Sequence, residues 1–343
     1  MPRKNAQFLS TLALTSALTA TLAFSFPSFA YADRQSDFAA HLVELQKDME
    51  ASGIDPQLFR TAVGDDFTID KKAITKLNNQ PESKMTFEKY TSSMLSESRI
   101  KRGRELFAQH HDKLMEIGKK SGVAPEVIVA LWGIESYFGK WAGKHRIARS
   151  LATLTFDSHR KDFFKRELFA AMRILQEGHI EPENLLGSWA GAMGQCQFMP
   201  TSFMAYAADG DGDGKKNIWT NEADVFASAA NYLKKHGWNS GQDWGQRVVL
   251  SKILPPLKTS ERGLTGHKTV AEWKKLGVIP ALKGYRVPLT EKARLYIPNG
   301  PSQAAYLVYN NFDVVLDWNR SSYFAFSALA LGDAIAEKKA GTL

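Results

Sequence analysis

The fold that the sequence predicts is mainly α, in an α+β arrangement with one small strand-containing lobe, and three observations predict it. Apolar residues recur three and four positions apart from Phe38 to about Lys120, as in Phe38, Leu42, Leu45 and Met49. From Pro125 to about His236 further helical stretches are broken by glycine-rich turns. Residues 247–300 alone, with "VVLSKILPPL", "GYRVPL" and "ARLYIPNG", mix short β-type runs with prolines.

The first segment, residues 1–32, has a basic start at Arg3 and Lys4, then an uncharged stretch, then Ala30-Tyr31-Ala32. That is the pattern of a cleavable secretory signal peptide, with cleavage expected after Ala32. A membrane anchor is the competing reading, but Ser, Thr and Pro27 interrupt the stretch and no stop-transfer pattern follows. No cysteine lies near the cleavage site, so a lipid anchor is not expected and the mature chain should be exported to the periplasm. Residues 33–124 read as an N-terminal helical lobe divided by breakers at Gly53, Pro56, Gly64 and Pro81. Residues 125–246 read as a helical core, 247–300 as the strand-bearing lobe, and 301–343 as a C-terminal segment. Its run "SSYFAFSALALGDAIAEKK" is apolar enough to pack back on the core.

The chain of 343 residues has a net charge of +8, which falls to +6 once Arg3 and Lys4 are removed. A basic exported protein is drawn to anionic surfaces. No Lys/Arg run exceeds two residues and no finger or recognition-helix signature is present, so nucleic acid is not expected as a partner. The single cysteine, Cys196, excludes an intramolecular disulfide and a cysteine-rich zinc site. About 310 mature residues are enough to bury a core without such staples.

Within "ALWGIESYFG", residues 130–139, the only ionisable side chain apart from Tyr137 is Glu135. Pro125 suits the first turn of a helix and Gly139 its end, so a helix is expected over 125–138. Steps of three and four from Glu135 reach Ile128, Leu131, Trp132 and Phe138, all apolar. A carboxylate against such a face loses solvation in its charged form, which raises its pKa and lets it donate a proton near neutral pH. The competing reading is a buried structural Glu paired with Arg146 or Arg149.

The run "SWAGAMGQCQFMPTSF", residues 188–203, sets Gly191, Gly194, two glutamines and serines among aromatics and methionines. Glycines admit close backbone approach, and amides with hydroxyls supply neutral donors and acceptors. Such a wall suits an uncharged polar ligand such as a sugar. An ordinary loop leading into a helix, with Phe198, Met199 and Phe203 as core, accounts for most of its apolar side chains.

"GIESYFG" paired with "SWAGAMGQCQFMPTSF", followed by "DGDGDGKKNIWTNEADVFASAANYLKKHGW", resembles the B-type, MltB-like lytic murein transglycosylases of glycoside hydrolase family 103. The resemblance is specific through residues 125–245, has support in "FEKYTSSMLSESRIKRGREL" and extends to "VVLDWNRSSYFAF". It implies a lysozyme-like helical core with an added helical lobe and a smaller strand-containing part. It also implies a monomer acting on peptidoglycan glycan strands, in company with cell-wall synthesis or division proteins, with no cofactor required for the chemistry. The implied reaction uses one glutamate, here Glu135, to cleave the β-1,4 bond between N-acetylmuramic acid and N-acetylglucosamine and leave 1,6-anhydromuramoyl ends. Carried over by position, Ser188 and Gln197 contact sugars near the cleaved bond, and Tyr90, Arg160, Tyr232 and Asn319 line the groove. Where the family often has Tyr-Asn, this chain has Trp318-Asn319, keeping a ring and losing a hydroxyl. Two other readings stay open: a water-using muramidase of lysozyme type, and a non-catalytic peptidoglycan-binding protein, which would be expected to lack the glutamate.

"DGDGDGKKNIWT", residues 209–220, places acidic residues at loop positions one, three and five and glycine at six, as hard-cation loops do. Thr220 stands at the twelfth position in place of glutamate, and Lys215 and Lys216 bring positive charge into the loop. Related proteins carry a calcium loop closed by a later acidic residue, a part that Glu222 or Asp224 could fill. The expected ligand positions for a structural calcium ion are Asp209, Asp211, Asp213, Lys215 and Asp224, against the plainer reading of a solvated acidic turn. Cys196, with no histidine in a recognisable motif beside it, reads as a packing residue and not as a nucleophile.

Overall fold

The structure is a computed structural model that describes residues 28–64, 68–78, 85–251, 255–260, 262–281, 287–300 and 304–338. Most of the expected signal segment, the breaker at Pro81 and part of "GYRVPL" lie outside the described residues.

The N-terminal half is helical throughout its elements: α1 (Ser28–Ala51), α2 (Pro56–Val63), α3 (Lys71–Asn78), α4 (Phe87–Met94), α5 (Glu97–Gln109) and α6 (His111–Ser121). The expected spacing on α1 is realised, since Phe38, Leu42, Leu45 and Met49 are all buried. Pro56 opens α2 at a position whose N–H would be unpaired in any case, with the Asp55 side chain capping the Gln57 amide, and Gly64 ends it.

At the centre lies α7 (Pro125–Ser136), with α5, α6, α11 (Glu222–Lys235) and α14 (Ser322–Ile335) packed around it. Its residues from Glu126 to Gly133 are all buried, as expected of a helix that is apolar on nearly every side. α14 is its main neighbour and is buried almost from end to end. The other helices are α8 (Ile147–Phe156), α9 (Lys161–Gln176), α10 (Pro200–Tyr206), α12 (Val270–Lys275) and α13 (Asn310–Trp318).

Among the described residues the strands form two sheets. β1 (His145–Arg146) pairs antiparallel with β2 (Leu186–Gly187), which ties the chain after α7 to the start of "SWAGAMGQCQFMPTSF". β3 (Gly245–Leu250), β4 (Lys268–Thr269), β5 (Val278–Pro280), β6 (Lys292–Tyr296) and β7 (Ala305–Val308) make a five-stranded sheet in the order β4-β6-β7-β3-β5. All of its pairings are antiparallel. Side chains alternate across it: Ala305 and Leu307 join a small core with Val248, Trp273 and Leu295, while Tyr306 and Val308 face the main core. The strand-bearing part therefore runs past the expected boundary at 300, because β7 supplies the strand between β3 and β6.

A second difference concerns the end of α7, expected at Phe138. The helix stops at Ser136, and Tyr137 (φ 50°), Phe138 (φ 58°) and Gly139 (φ 81°) follow in the left-handed region. The Phe138 amide donates to the Trp132 carbonyl (3.2 Å), and its ring folds edge-on against Trp132 with centroids 5.5 Å apart. Gly133 makes room for that ring, since a Cβ there would meet it at 2.6 Å. Phe138 is thus part of the helix stop and not of the helical face that carries Glu135.

Candidate active site

Glu135 stands in the last turn of α7, half-buried, between Trp318 at the end of α13 and the 188–203 segment, where its charge reaches Cys196. Its Oε1 accepts a hydrogen bond from the Trp318 indole Nε1 at 2.7 Å. Burial pushes its carboxyl up to about 7, and the indole hydrogen bond, which favours the charged form, holds it from going higher. Among the described residues no cation pairs with it. Arg146 turns away to the Thr61 carbonyl (2.9 Å) and Arg149 to the Thr68 carbonyl (3.1 Å), so neither makes Glu135 a structural ion pair.

Trp318 is held from behind. Tyr232 packs edge-on to it with centroids 4.8 Å apart, and Phe198 lies 5.1 Å away. The Tyr232 hydroxyl donates to the Asp317 carbonyl (2.8 Å), and its ring stacks on His236 at 3.9 Å. Tyr232 is buried, and its burial raises the phenol to about 12. It therefore supports Glu135 through Trp318, with its own hydroxyl committed to backbone. Tyr90 is half-buried and lies within the field of the Glu135 charge, which together with burial raises its phenol.

The 188–203 segment folds on itself through backbone pairs from Met193 to Phe198 (2.8 Å) and from Ser188 to Ala192 (2.7 Å). The Ser188 hydroxyl accepts the Ala192 amide at 2.9 Å. Gly143 lies against the backbone of Gly187 and Ser188 so closely that a Cβ would collide with it, which explains a glycine there (φ 95°). The two glutamines, alike in sequence, differ in place. Gln195 is 5% exposed and bridges the Trp132 indole (2.6 Å) to the Trp219 carbonyl (3.0 Å), a structural cross-tie. Gln197 is half-buried with φ 51°, and its amide nitrogen donates to the Gly194 and Ala142 carbonyls at 2.8 and 3.1 Å. Between them Cys196 is buried, its thiol raised by desolvation with the Glu135 charge adding to the shift, so it is inert packing.

Asn319 is exposed at the end of α13, its side-chain oxygen accepting the Ser321 amide (3.1 Å). Arg160 is exposed at the start of α9 with its guanidinium 4.1 Å from the Phe163 ring centroid, and no described contact joins it to Glu135. Two residues that the sequence did not single out for these parts emerge. Trp318 was read only as having lost a hydroxyl, yet it is the hydrogen-bond donor to Glu135. Trp141, 64% exposed with the Lys140 ammonium 5.3 Å from its ring centroid, stands beside the Ala142 carbonyl that Gln197 grips.

A match to the family described as "Transglycosylase SLT domain" spans residues 37–333. The chain belongs to this transglycosylase family. It is 31% identical over 252 residues to "Membrane-bound lytic murein transglycosylase B" of Escherichia coli, covering 72% of this chain and 67% of that one. Among solved structures it resembles SltB3 of Pseudomonas aeruginosa in complex with NAG-anhNAM-pentapeptide, with a TM-score of 0.81 and 37% identity over 87% of this chain and 79% of that one. It also resembles the Escherichia coli lytic transglycosylase SLT35 in complex with calcium, with a TM-score of 0.75 and 27% identity over 87% and 93% of the two chains. These neighbours share its mostly helical, lysozyme-like architecture.

In this transglycosylase the acidic loop also has defined geometry. One carboxylate oxygen each from Asp209, Asp211 and Asp213 lie within 4.8 Å of one another, separations that a single hard cation with 2.3–2.6 Å bonds spans. The chemistry of the set, all oxygen, fits calcium. Asp224, however, is fully buried beneath the loop and its two oxygens accept the Gly210 and Asn217 amides at 2.7 and 2.6 Å. It closes the loop through backbone hydrogen bonds, and Asn221, not Glu222, reaches over to Asp211 (2.7 Å).

Proposed function

We propose that the protein is a peptidoglycan lytic transglycosylase in which Glu135 alone serves as acid and then base. The observation that carries the reading is the Glu135 carboxyl, poised at about 7 and held on one oxygen by Trp318, with no other carboxylate acting on it among the described residues. The protonated carboxyl gives its proton to the oxygen of the β-1,4 bond between N-acetylmuramic acid and N-acetylglucosamine as the C1–O bond breaks. The resulting carboxylate takes the proton of the muramic C6 hydroxyl as that oxygen bonds to C1, closing the 1,6-anhydro ring. Glu135 ends protonated again and no water is consumed. An ordinary glycosidase needs a second carboxylate for water or for a covalent intermediate. The internal hydroxyl removes that need.

Ser188, Gln197, Tyr90 and Asn319 contact the sugars in this reading, and Arg160 meets the strand further along. Tyr232 acts through Trp318. Calcium, when bound, is a structural ion held by Asp209, Asp211, Asp213 and the Lys215 carbonyl, with Asp224 bracing the loop. The exported, periplasmic location rests on the signal pattern of residues 1–32. Among the described residues no helix is long and apolar enough to cross a membrane.

Mass spectrometry of wall sacculi digested by the wild type and by Glu135→Gln tests the reaction. The wild type should release anhydromuramoyl ends, lighter by one water than reducing ends, and the variant should release almost none. Reducing ends in the wild-type digest would assign a water-using muramidase. Binding of sacculi without cleavage would assign a binding protein.

A further inference from the structure

We infer that the recess walled by Arg262, Arg294 and Arg320 is an anion subsite for a carboxylate of the peptide carried on the muramic sugar, an inference that rests on the peptidoglycan reading of the Glu135 groove. The recess encloses about 790 Å³ and includes Asn319, Asp317 and Ser321. Its lining is tied to the Glu135 carboxyl from two sides. Asn319 directly follows Trp318, whose indole holds Glu135. On the other side the Arg262 guanidinium lies 5.5 Å from the Tyr323 ring centroid, Tyr323 lies 6.1 Å from Tyr90, and Tyr90 feels the Glu135 charge.

The three cations differ in how far they are engaged. Arg294 is anchored, donating to Asp313 (2.9 Å) and to the Thr265 carbonyl (2.8 Å). Asp313 is further engaged by His267 at 2.8 Å. Arg262 spends one nitrogen on the Ser321 hydroxyl (2.5 Å) and keeps its other donors exposed. Arg320 is exposed and has no hydrogen bond or ion pair among the described residues. Against them stand Asp313, already paired, and Asp317, so the recess keeps an excess of guanidinium.

In a peptide-bearing strand the muramic lactyl carboxyl is tied up as an amide, so the sugars themselves carry no charge and give guanidinium groups nothing to neutralise. The peptide on the muramic sugar does, because it bears free carboxylates within a few bonds of the ring. Arginine presents a planar pair of donors that matches a carboxylate, which lysine does not. Arg262 and Arg320 are therefore placed to grip the peptide while Glu135 acts on the sugar, with Arg294 holding the wall.

The test compares kcat/KM on peptide-bearing glycan strands and on the same strands with the peptide carboxylates blocked as methylamides, for the wild type, Arg320→Gln, Arg320→Lys and the Arg262→Gln, Arg320→Gln pair. The ratio of the two values should fall about tenfold in Arg320→Gln, the size expected for one charged hydrogen bond. It should fall further in the pair and recover in part in Arg320→Lys. An unchanged ratio in both glutamine variants, or equal losses on the two substrates, overturns the subsite. Failure of the wild type to cleave either substrate would instead overturn the transglycosylase reading beneath it.

Discussion

The Trp318 indole donates to Glu135 Oε1 at 2.7 Å, and this one contact across 183 residues of chain joins α13 to the reactive end of α7. An indole N–H is a donor only, so it favours the carboxylate at every pH and leaves the second oxygen to carry the proton. In the proposed reaction Trp318 is a positioning residue, acting on the substrate through Glu135.

Replacing Trp318 by Phe should therefore raise the Glu135 pKa above about 7, because the charged form loses its donor while burial is retained. Glu135 must be protonated to act as the acid, so the alkaline limb of kcat/KM should move to higher pH, by about one unit. A pH–rate profile reads this directly. A limb that stays in place while activity falls would mean that Trp318 only fills space.

The same carboxyl links stability to pH. Its folded pKa of about 7 lies above the ordinary 4.5, so the folded state holds a proton that the unfolded state releases across that window. Stability contributed by the protonated form is complete below about 4.5 and is lost as pH rises through about 7. Glu135→Gln removes the loss and should be the more stable protein at pH 8, by up to roughly 3 kcal/mol. Denaturant unfolding at pH 4 and pH 8 measures the difference, which should nearly vanish at the lower pH.

Gln195→Ala should destabilise the fold without altering the pH profile of the reaction. The change leaves the buried Trp132 indole N–H without its acceptor and the Trp219 carbonyl without its donor. An unsatisfied buried group costs about 1–3 kcal/mol. Urea unfolding at fixed pH checks the magnitude, and an unshifted alkaline limb checks that Glu135 is untouched.

For the acidic loop, saturating calcium should raise the melting temperature, with stabilisation growing as the logarithm of free ion. Magnesium should do less, since it gives up water reluctantly and demands tighter geometry. The double change Asp209→Asn with Asp213→Asn should abolish the calcium response and leave cleavage largely intact at low temperature. Scanning calorimetry with chelator and then with excess calcium decides it, and coincident traces would leave the loop as a hydrogen-bonded acidic turn.

Much of this protein was legible in its residues because the governing signals are local. The α1 spacing of Phe38, Leu42, Leu45 and Met49 and the lone acid among apolar neighbours in "ALWGIESYFG" can be seen within a turn or two of helix. β7 was missed because Ala305 to Val308 face two different cores and so read as an unbroken apolar run, which has no period to identify a strand. Gln195 and Gln197 are indistinguishable by type and spacing, and only the tertiary positions of Trp132, Trp219 and Ala142 separate the buried tie from the half-buried Gln197. The role of Trp318 lies furthest from view, since its partner is brought to it by the packing of α13, α14 and α7.

The stop that follows Glu135 places two bulky residues, Tyr137 and Phe138, in a backbone region where side chains are unwelcome. Nothing in the segment itself favours that path, and each such residue carries strain of the order of 1–3 kcal/mol unless its surroundings enforce it. Here the enforcement comes from the Phe138 ring lodged against Trp132 and Gly133. A glycine at position 137 should accordingly make a hardier protein and a poorer enzyme, because the rigidity of the catalytic corner is borrowed from the interior and would be released along with the strain.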